Sequence, residues 1–552
     1  MTEKRWWIKP GLVGAALLAV LGGPFLLRPP DTTSPSNADA TVVIVTPHAE
    51  SIRHEFARAF AKHMKETKGI SVHVDWRTPG SGTSEIEKYL SSSFRASFQS
   101  YWKDTLKRKW SDYEIGDAFD DRKLLLPPDP SGDTPSQAAR RAFLESNLGI
   151  GVDLFFGGGA YPFQKFSSIG YLVDSGVKER HPEWFTDEVI PELVGGEPFR
   201  DAEMRWVGAA LSSFGICYNA DTLFNIGITT PPRSWKDLGD PRYSGYIALA
   251  DPTKSGSVAK AFEMLIQEEM HKAVKAIQPR PRIPEEELLA EALNEGWKNG
   301  LNLIQRICAN ARYFTDSSTK IPLDVAQGNA AAGMSIDFFG RTYNEILRDE
   351  DGYSRVRFVT PRGGTSVGAD PIAMLRGAPN EEIAQAFIDF VLSKKGQRLW
   401  IQRPGTPGGP EKTALRRSSI RRDLYEKDAD TTHYADPRDN PFEQADSFQY
   451  MPERTAHLFG AIRFIIRAMC IDSHEEMREA WETLVEADFP DGPTEKFFTV
   501  SMVGYPSANL SFRIIVGGDN PIEEVRTARN LSSVFRSNYR KASEDALDAR
   551  NR

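Results

Sequence analysis

Cysteine is scarce: the 552 residues hold three, Cys217, Cys308 and Cys470. None falls in a C-x-x-C pair, which argues against a zinc site built on thiolates. A chain this long can bury enough apolar surface to dispense with disulfides, so all three read as small buried side chains. A basic excess is also lacking. Lys and Arg number 68 against 76 Asp and Glu, a net charge of -8, and this argues against a nucleic-acid binder, which would present a basic face. It leaves a local anion site open, because net charge does not describe a pocket. No H-E-x-x-H, no P-loop and no internal repeat occur.

What is present is ordinary globular composition, 40% hydrophobic and 26% charged, behind a distinctive start. Lys4, Arg5 and Lys9 precede an apolar run from Gly11 to Leu27, closed by Arg28. Such a run is a secretory signal or one short membrane span. The small-residue pattern Ala38-x-Ala40 lies far beyond it and no cysteine follows, so the expectation is an uncleaved anchor with its cationic end inside; cleavage after Ala40 is the alternative. The Pro- and Ser-rich stretch 28–40 reads as a tether.

From residue 41 the pattern is α/β. TVVIVT is a buried strand ending near His48, and SIRHEFARAFAKHMKETKG places Ile52, Phe56, Phe60 and Met64 on one helical face, stopped by Gly69. ISVHVDW follows as a second strand. Then come a Gly-rich turn (Gly80, Ser81, Gly82, Thr83, Ser84) and another helix start, the opening of a parallel sheet. Residues 91–150 break the rhythm and read as an inserted helical flap. GVDLFF is a short strand running into Gly157-Gly158-Gly159. WVGAALSSFGICYN is a long extended stretch, and GYIALADP is a strand leading to Lys254-Ser255-Gly256-Ser257 and an amphipathic helix. DVAQGNAAAGMSIDFF is expected to end as a strand carrying Asp337, Phe338 and Phe339. Gly364 to Gly368 fits G-x-S-x-G, but the strand-like PIAML follows where a nucleophile elbow needs a helix, so a hydrolase is rejected. Beyond about 410 the chain is charged and mainly helical.

The order of these segments resembles the ferric-ion-type extracellular solute-binding proteins of ABC transporters, which have the type II periplasmic binding fold. The resemblance is carried by TVVIVTPHAESIRHEFARAFAKHMKETKGISVHV, by GVDLFFGGGAYPFQKFSSIGYLVD and by FGICYNADTL. The most specific block is PRSWKDLGDPRYSGYIALADPTKSG, and AQAFIDFVLSKKGQ closes the series. It implies two α/β lobes joined by two extended crossings, WVGAALSSFGICYN and RVRFVTPRGG, closing over a solute that is handed to a membrane permease. The implied lobes are 41–212 with the insertion 91–150, 213–358, and a return to the first lobe over 359–410. A helical extension follows over 411–552, expected to pack on lobe two.

The resemblance also supplies site positions. A histidine matching His48 is a metal ligand in ferric binders; here a solvated loop histidine is equally consistent. The metal-binding glutamate corresponds to Gly158 and the iron-gripping tyrosine pair to Phe338-Phe339. Phenylalanine offers no anionic oxygen, so no metal and no cofactor is expected. Two Ser/Gly turns remain, Gly80–Thr83 and Ser255–Ser257, each at a helix start. They form an anion cradle or are plain helix caps. Gly157 and Gly158 admit a ligand to the backbone or make a tight turn. Asp337, Phe338 and Phe339 line the pocket or pack the core. The expectation is an extracytoplasmic protein without enzymatic activity that binds a small anionic or polar solute. A ferric binder with altered ligands and a sensor or docking subunit on the same fold are the alternatives.

Overall fold

The computed structural model describes residues 37–80, 82–518 and 520–550. The expected anchor and most of the tether, and Ser81, lie outside the described residues. Among those described, no helix is long and apolar enough to cross a membrane.

The chain opens with strand β1 (Ala40–Val45), helix α1 (Glu50–Lys68) and strand β2 (Val72–Arg77), which pairs with β1 in parallel from Ala40↔Val72 onward. α1 buries Ile52, Phe56, Phe60 and Met64, and Gly69 ends it at φ 72°, where glycine carries no Cβ penalty. Helix α2 (Thr83–Ser100) runs from the Gly-rich turn into the insertion, where α3 (Pro135–Glu145) joins it. The insertion's Phe94, Phe98, Phe119 and Phe143 share one core with Phe155, Phe163 and Tyr171 of the first lobe, with Phe94 stacked on Tyr171 at 4.1 Å. The insertion is therefore a packed flank of the first lobe. β3 (Leu154–Phe156), α4 (Ala160–Ile169) and β4 (Leu172–Val173) follow. A two-stranded hairpin comes next, β5 (Leu193–Val194) and β6 (Glu197–Pro198).

β7 (Val207–Asn219) is the strand that joins the lobes. The second lobe adds β8 (Ile247–Ala250), α5 (Gly256–Lys275), α6 (Glu285–Ala309), β9 (Ala311–Thr315), β10 (Ala332–Ile336), α7 (Asp337–Ile346) and β11 (Val356–Val359). β12 (Val367–Leu375) then returns to the first lobe and leads into α8 (Glu381–Leu392) and α9 (Lys394–Ile401). The sheet order is β2-β1-β3-β12-β7-β10-β8-β9, with β11 on β7 and β4 on β12. One half of β7 pairs antiparallel with β12, from Val207↔Ile372 to Ser213↔Val367. The other half pairs with β10, from Phe214↔Ile336 to Tyr218↔Ala332, and with β11. Two chain crossings thus connect the lobes, β7 itself and the 360–366 segment between β11 and β12.

The extension differs from a uniform helical tail. Residues 411–440 are largely irregular and pack on the first lobe, burying Leu415, Ile420, Leu424 and Tyr434 in its core. Helices dominate only afterwards: α10 (Phe459–Ile466), α11 (His474–Glu486) and α12 (Pro521–Arg550) pack on the second lobe's core. Cys217, Cys308 and Cys470 are all buried thiols within that core.

Candidate functional site

The helices α2, α4 and α5 each begin at a glycine-rich turn near the junction of the lobes, so the site is built from helix N-termini. α2 and α5 approach from opposite lobes: a Cβ placed on Gly82 would lie 3.6 Å from the carbonyl oxygen of Lys254. The two Ser/Gly turns singled out in the sequence therefore meet. Their free capacity differs. The Gly82 N–H donates to the Glu85 carboxylate at 3.1 Å, and Gly80 lies against the same side chain. Thr83 donates its hydroxyl to the Gly158 carbonyl at 3.3 Å. In the second lobe Ser255 is buried and its hydroxyl caps α5, accepting from Val258 at 3.4 Å. Gly256 faces open space: a Cβ there would meet no heavy atom within 4 Å. Ser257 follows it in the first turn of α5.

Arg463 of α10 closes this junction. Its guanidinium donates to the carbonyls of Pro252 (2.7 Å) and Thr253 (2.5 Å) and reaches Ser84 Oγ at 3.5 Å. No carboxylate among the described residues pairs with it within 4 Å. A cation beside two helix N-termini, each carrying about half a positive charge, is an electrostatic arrangement that favours an anion.

The third glycine turn behaves differently. Gly157, Gly158 and Gly159 all have positive φ. A Cβ on Gly157 would fall 2.5 Å from the His48 ring, and one on Gly158 2.9 Å from Thr83. Glycine is thus required here by close packing within the lobe. The N–H groups of Gly158 and Gly159 at the start of α4 are already taken by the carboxylate of Asp370, at 3.0 Å for Gly159. Asp370 also accepts from His48 Nε2 at 3.1 Å and forms an ion pair with Arg417. Burial alone would raise the Asp370 pKa, but Arg417, the His48 bond and the Gly159 amide hold it far below the usual carboxylate range.

His48 is buried, edge-on to Phe156 at 4.5 Å, rather than a solvated loop histidine, and burial lowers its pKa against the raising effect of Asp370. Arg417 donates to Ser212 and lies 4.6 Å over the Phe338 ring and 5.5 Å over Trp400. Asp337, Phe338 and Phe339 do not end a strand. β10 stops at Ile336 and DFF forms the first turn of α7. The short, alternating AGMSI is complete without them, and Asp337 satisfies the exposed Phe338 N–H at 2.8 Å. Asp337 is buried against Ser213 and Arg341, and burial raises its pKa. Phe338 and Phe339 pack together at 4.2 Å. Among the described residues no group of three His, Cys, Asp or Glu side chains is placed to hold a metal ion.

Three residues at this junction escaped sequence reasoning. Asp370 had a signal, a carboxylate inside the apolar strand VGADPIAML. Arg463 had one too, a cation inside the apolar stretch FGAIRFII. Arg417 had none, sitting in an irregular basic segment.

Residues 152–418 match the family described as bacterial extracellular solute-binding protein. Over this region, a little under half of the chain, it is similar to the bacterial extracellular solute-binding proteins. An uncharacterized protein of Haemophilus influenzae is 25% identical over 252 residues, 46% of this chain and 61% of that protein. The phosphoglycerate transport regulatory protein PgtC of Salmonella typhimurium is 24% identical over 193 residues, 35% of this chain and 40% of that one. The chain thus spans about three-fifths of the first relative and two-fifths of the second. Among solved structures, the periplasmic binding protein AfuA of Actinobacillus pleuropneumoniae, with fructose-6-phosphate bound, gives a TM-score of 0.42 at 17% identity. That match covers 66% of this chain and 82% of AfuA. Iron-bound HitA of Pseudomonas aeruginosa gives 0.41 at 17%, covering 77% and 98%.

Proposed function

We propose that this solute-binding protein captures a small anion, a phosphate ester or carboxylate, between the N-termini of α2 and α5. It would pass the anion to an ABC permease on the outer side of a membrane. One observation carries the reading: Arg463, without a carboxylate partner among the described residues, sits where the two helix starts from opposite lobes meet. The family match over 152–418 supports the solute-binding role, and the name of PgtC makes phosphoglycerate a first candidate. The anion would find the turn of α5 open at Gly256, whereas the turn of α4 is filled by Asp370. Attachment through Gly11–Leu27 is proposed from the sequence alone. Catalysis is not part of the proposal. Ser366 is buried and donates to Glu197 at 2.6 Å, and the strand β12, not a helix, follows it.

Calorimetry with inorganic phosphate, 3-phosphoglycerate and malate tests the reading, on the wild type and on Gly256→Glu. An acidic side chain in the first turn of a helix favours the helix, so the variant should fold. Its carboxylate should repel an anion from the open turn and weaken binding by about a hundredfold or more, the effect of losing two charge-assisted hydrogen bonds. Equal binding by both proteins, or binding of none of the three anions by the wild type, would refute this assignment.

A further inference from the structure

The lobes are joined by more than the two crossings. Lys260 of α5, in the second lobe, lies 3.1 Å from Glu197 of the first-lobe hairpin and 3.1 Å from Glu263 of its own helix. Its ammonium sits over the Tyr450 ring at 3.6 Å. Tyr450 and Thr455 of the extension donate their hydroxyls to Glu263 at 2.9 and 2.6 Å, and Ser366 of the second crossing donates to Glu197. Glu197, Glu263, Ser366, Tyr450 and Thr455 are all buried. Burial alone would lower the Lys260 pKa, yet Glu197 and Glu263 hold it above the ordinary range.

The same segment grips both lobes through its backbone. The Tyr450 N–H donates to the Gly195 carbonyl at 2.7 Å, on the first-lobe hairpin. Gln267 of α5 donates to the Met451 carbonyl and accepts from its N–H, both at 2.9 Å. The chain then runs back along α5, Phe459 packs on Tyr161 of α4 at 4.8 Å, and Arg463 spans Ser84 and the 252–253 turn.

We infer that residues 445–466 are a strap that holds the two lobes together, so that access to the cleft is governed by release of the C-terminal extension. Parting the lobes with the strap in place would pull Glu197 from Lys260 and leave buried charges without partners, a strongly unfavourable state. Release of the strap moves Tyr450 and Thr455 away from Glu263 and admits water to the network first. The inference deepens the capture reading by naming what gates the site, but its test requires no solute.

Hydrogen exchange on the full chain compares the wild type with Tyr450→Phe/Thr455→Val and, separately, with Gln267→Leu. Amides at the starts of α2 and α5 should exchange about tenfold faster or more in both variants, while β1 and β3 keep wild-type rates. Unchanged rates at both helix starts, or an equal rise along the whole chain, overturns the strap. Should neither variant accumulate as folded protein, the wild type decides. Small-angle scattering without any added anion should match the lobes held together by the Lys260 network and the strap, and a curve that demands parted lobes overturns the inference. Failure here leaves the anion reading standing, and failure of the calorimetry leaves the strap standing.

Discussion

Asp370 and Arg417, 47 residues apart in the chain, form an ion pair buried at the junction of the lobes, each less than a tenth exposed. Asp370 does for α4 what a bound anion would do, accepting from the N–H groups of Gly158 and Gly159. The protein has in effect filled one of its three glycine turns with its own carboxylate, anchored by Arg417 from the segment that follows α9.

Breaking a buried pair by removing one partner leaves an uncompensated charge. Asp370→Ala should lower unfolding stability by about 3–5 kcal/mol in denaturant titrations. The double variant Asp370→Ala/Arg417→Met should recover part of that loss. Formate, small enough to enter the vacated turn, should stabilise Asp370→Ala and leave the wild type unmoved. Additive losses in the double variant would show that the two side chains act independently.

How much of this was legible in the sequence depended on distance along the chain. The β1–α1–β2 unit was readable because its periodicities are local: Ile52, Phe56, Phe60 and Met64 repeat every fourth residue and Gly69 ends the run. β7 was readable as a crossing because the family resemblance calls for two extended crossings and the long stretch WVGAALSSFGICYN fits one of them; it forms a thirteen-residue strand. The strand assigned to Asp337–Phe339 failed because two aromatic rings resemble strand composition, while the helix they start is set by Asp337 and the packing behind it. The contents of the junction were not legible. Asp370, Arg417 and Arg463 gain meaning only when strands and helices far apart in sequence converge, and no local spacing encodes that. Gly157 was visible as a glycine but not its cause, the His48 ring against it.

The start of the extension is fixed by one side chain. Glu55 of α1 is buried and accepts from the backbone N–H groups of Glu411 and Lys412, both at 2.7 Å, and of Thr413 at 3.3 Å. Burial would raise its pKa, but these amides and Arg58 lower it overall. Glu55→Ala leaves three donors without a partner and should lower stability by about 2–3 kcal/mol. Hydrogen exchange at 411–413 should quicken before that of α1 itself; protection of those amides in the variant would contradict this.

His271 of α5 gives the fold an acid-sensitive point. Burial, then the charge of Arg454, brings its pKa to about 4, and its ring lies 5.2 Å from Phe448. The folded value is depressed below the unfolded one, near 6.5. The neutral ring therefore contributes stability that is complete above about pH 6.5 and is lost as pH falls toward about 4. Allowing for partial exposure, the loss should be about 2 kcal/mol. His271→Phe should flatten stability between pH 6.5 and 4, measured by urea midpoints, and an unchanged slope would exclude His271 as the source.

Arg463 separates an anion site from a purely structural contact. Its Nε and one terminal nitrogen are committed to the carbonyls of Pro252 and Thr253, which a structural arginine would also satisfy. What a structural role does not require is a charge placed between two helix N-termini without a carboxylate ion-paired to it within 4 Å among the described residues. Arg463→Gln removes the charge and can keep one carbonyl contact. Arg463→Lys keeps the charge and gives up the planar fork. If the charge serves an anion, Arg463→Gln should weaken phosphate or phosphoglycerate binding about tenfold to a hundredfold, the value of one charge-assisted bond. Arg463→Lys should retain most of the affinity, and added salt should weaken the wild type more than Arg463→Gln. Thermal melts without anion should fall by similar amounts for both variants, because each disturbs the Pro252 and Thr253 contacts. A structural arginine gives the reverse pattern: equal losses of affinity for both variants, with no difference in salt dependence between Arg463→Gln and the wild type.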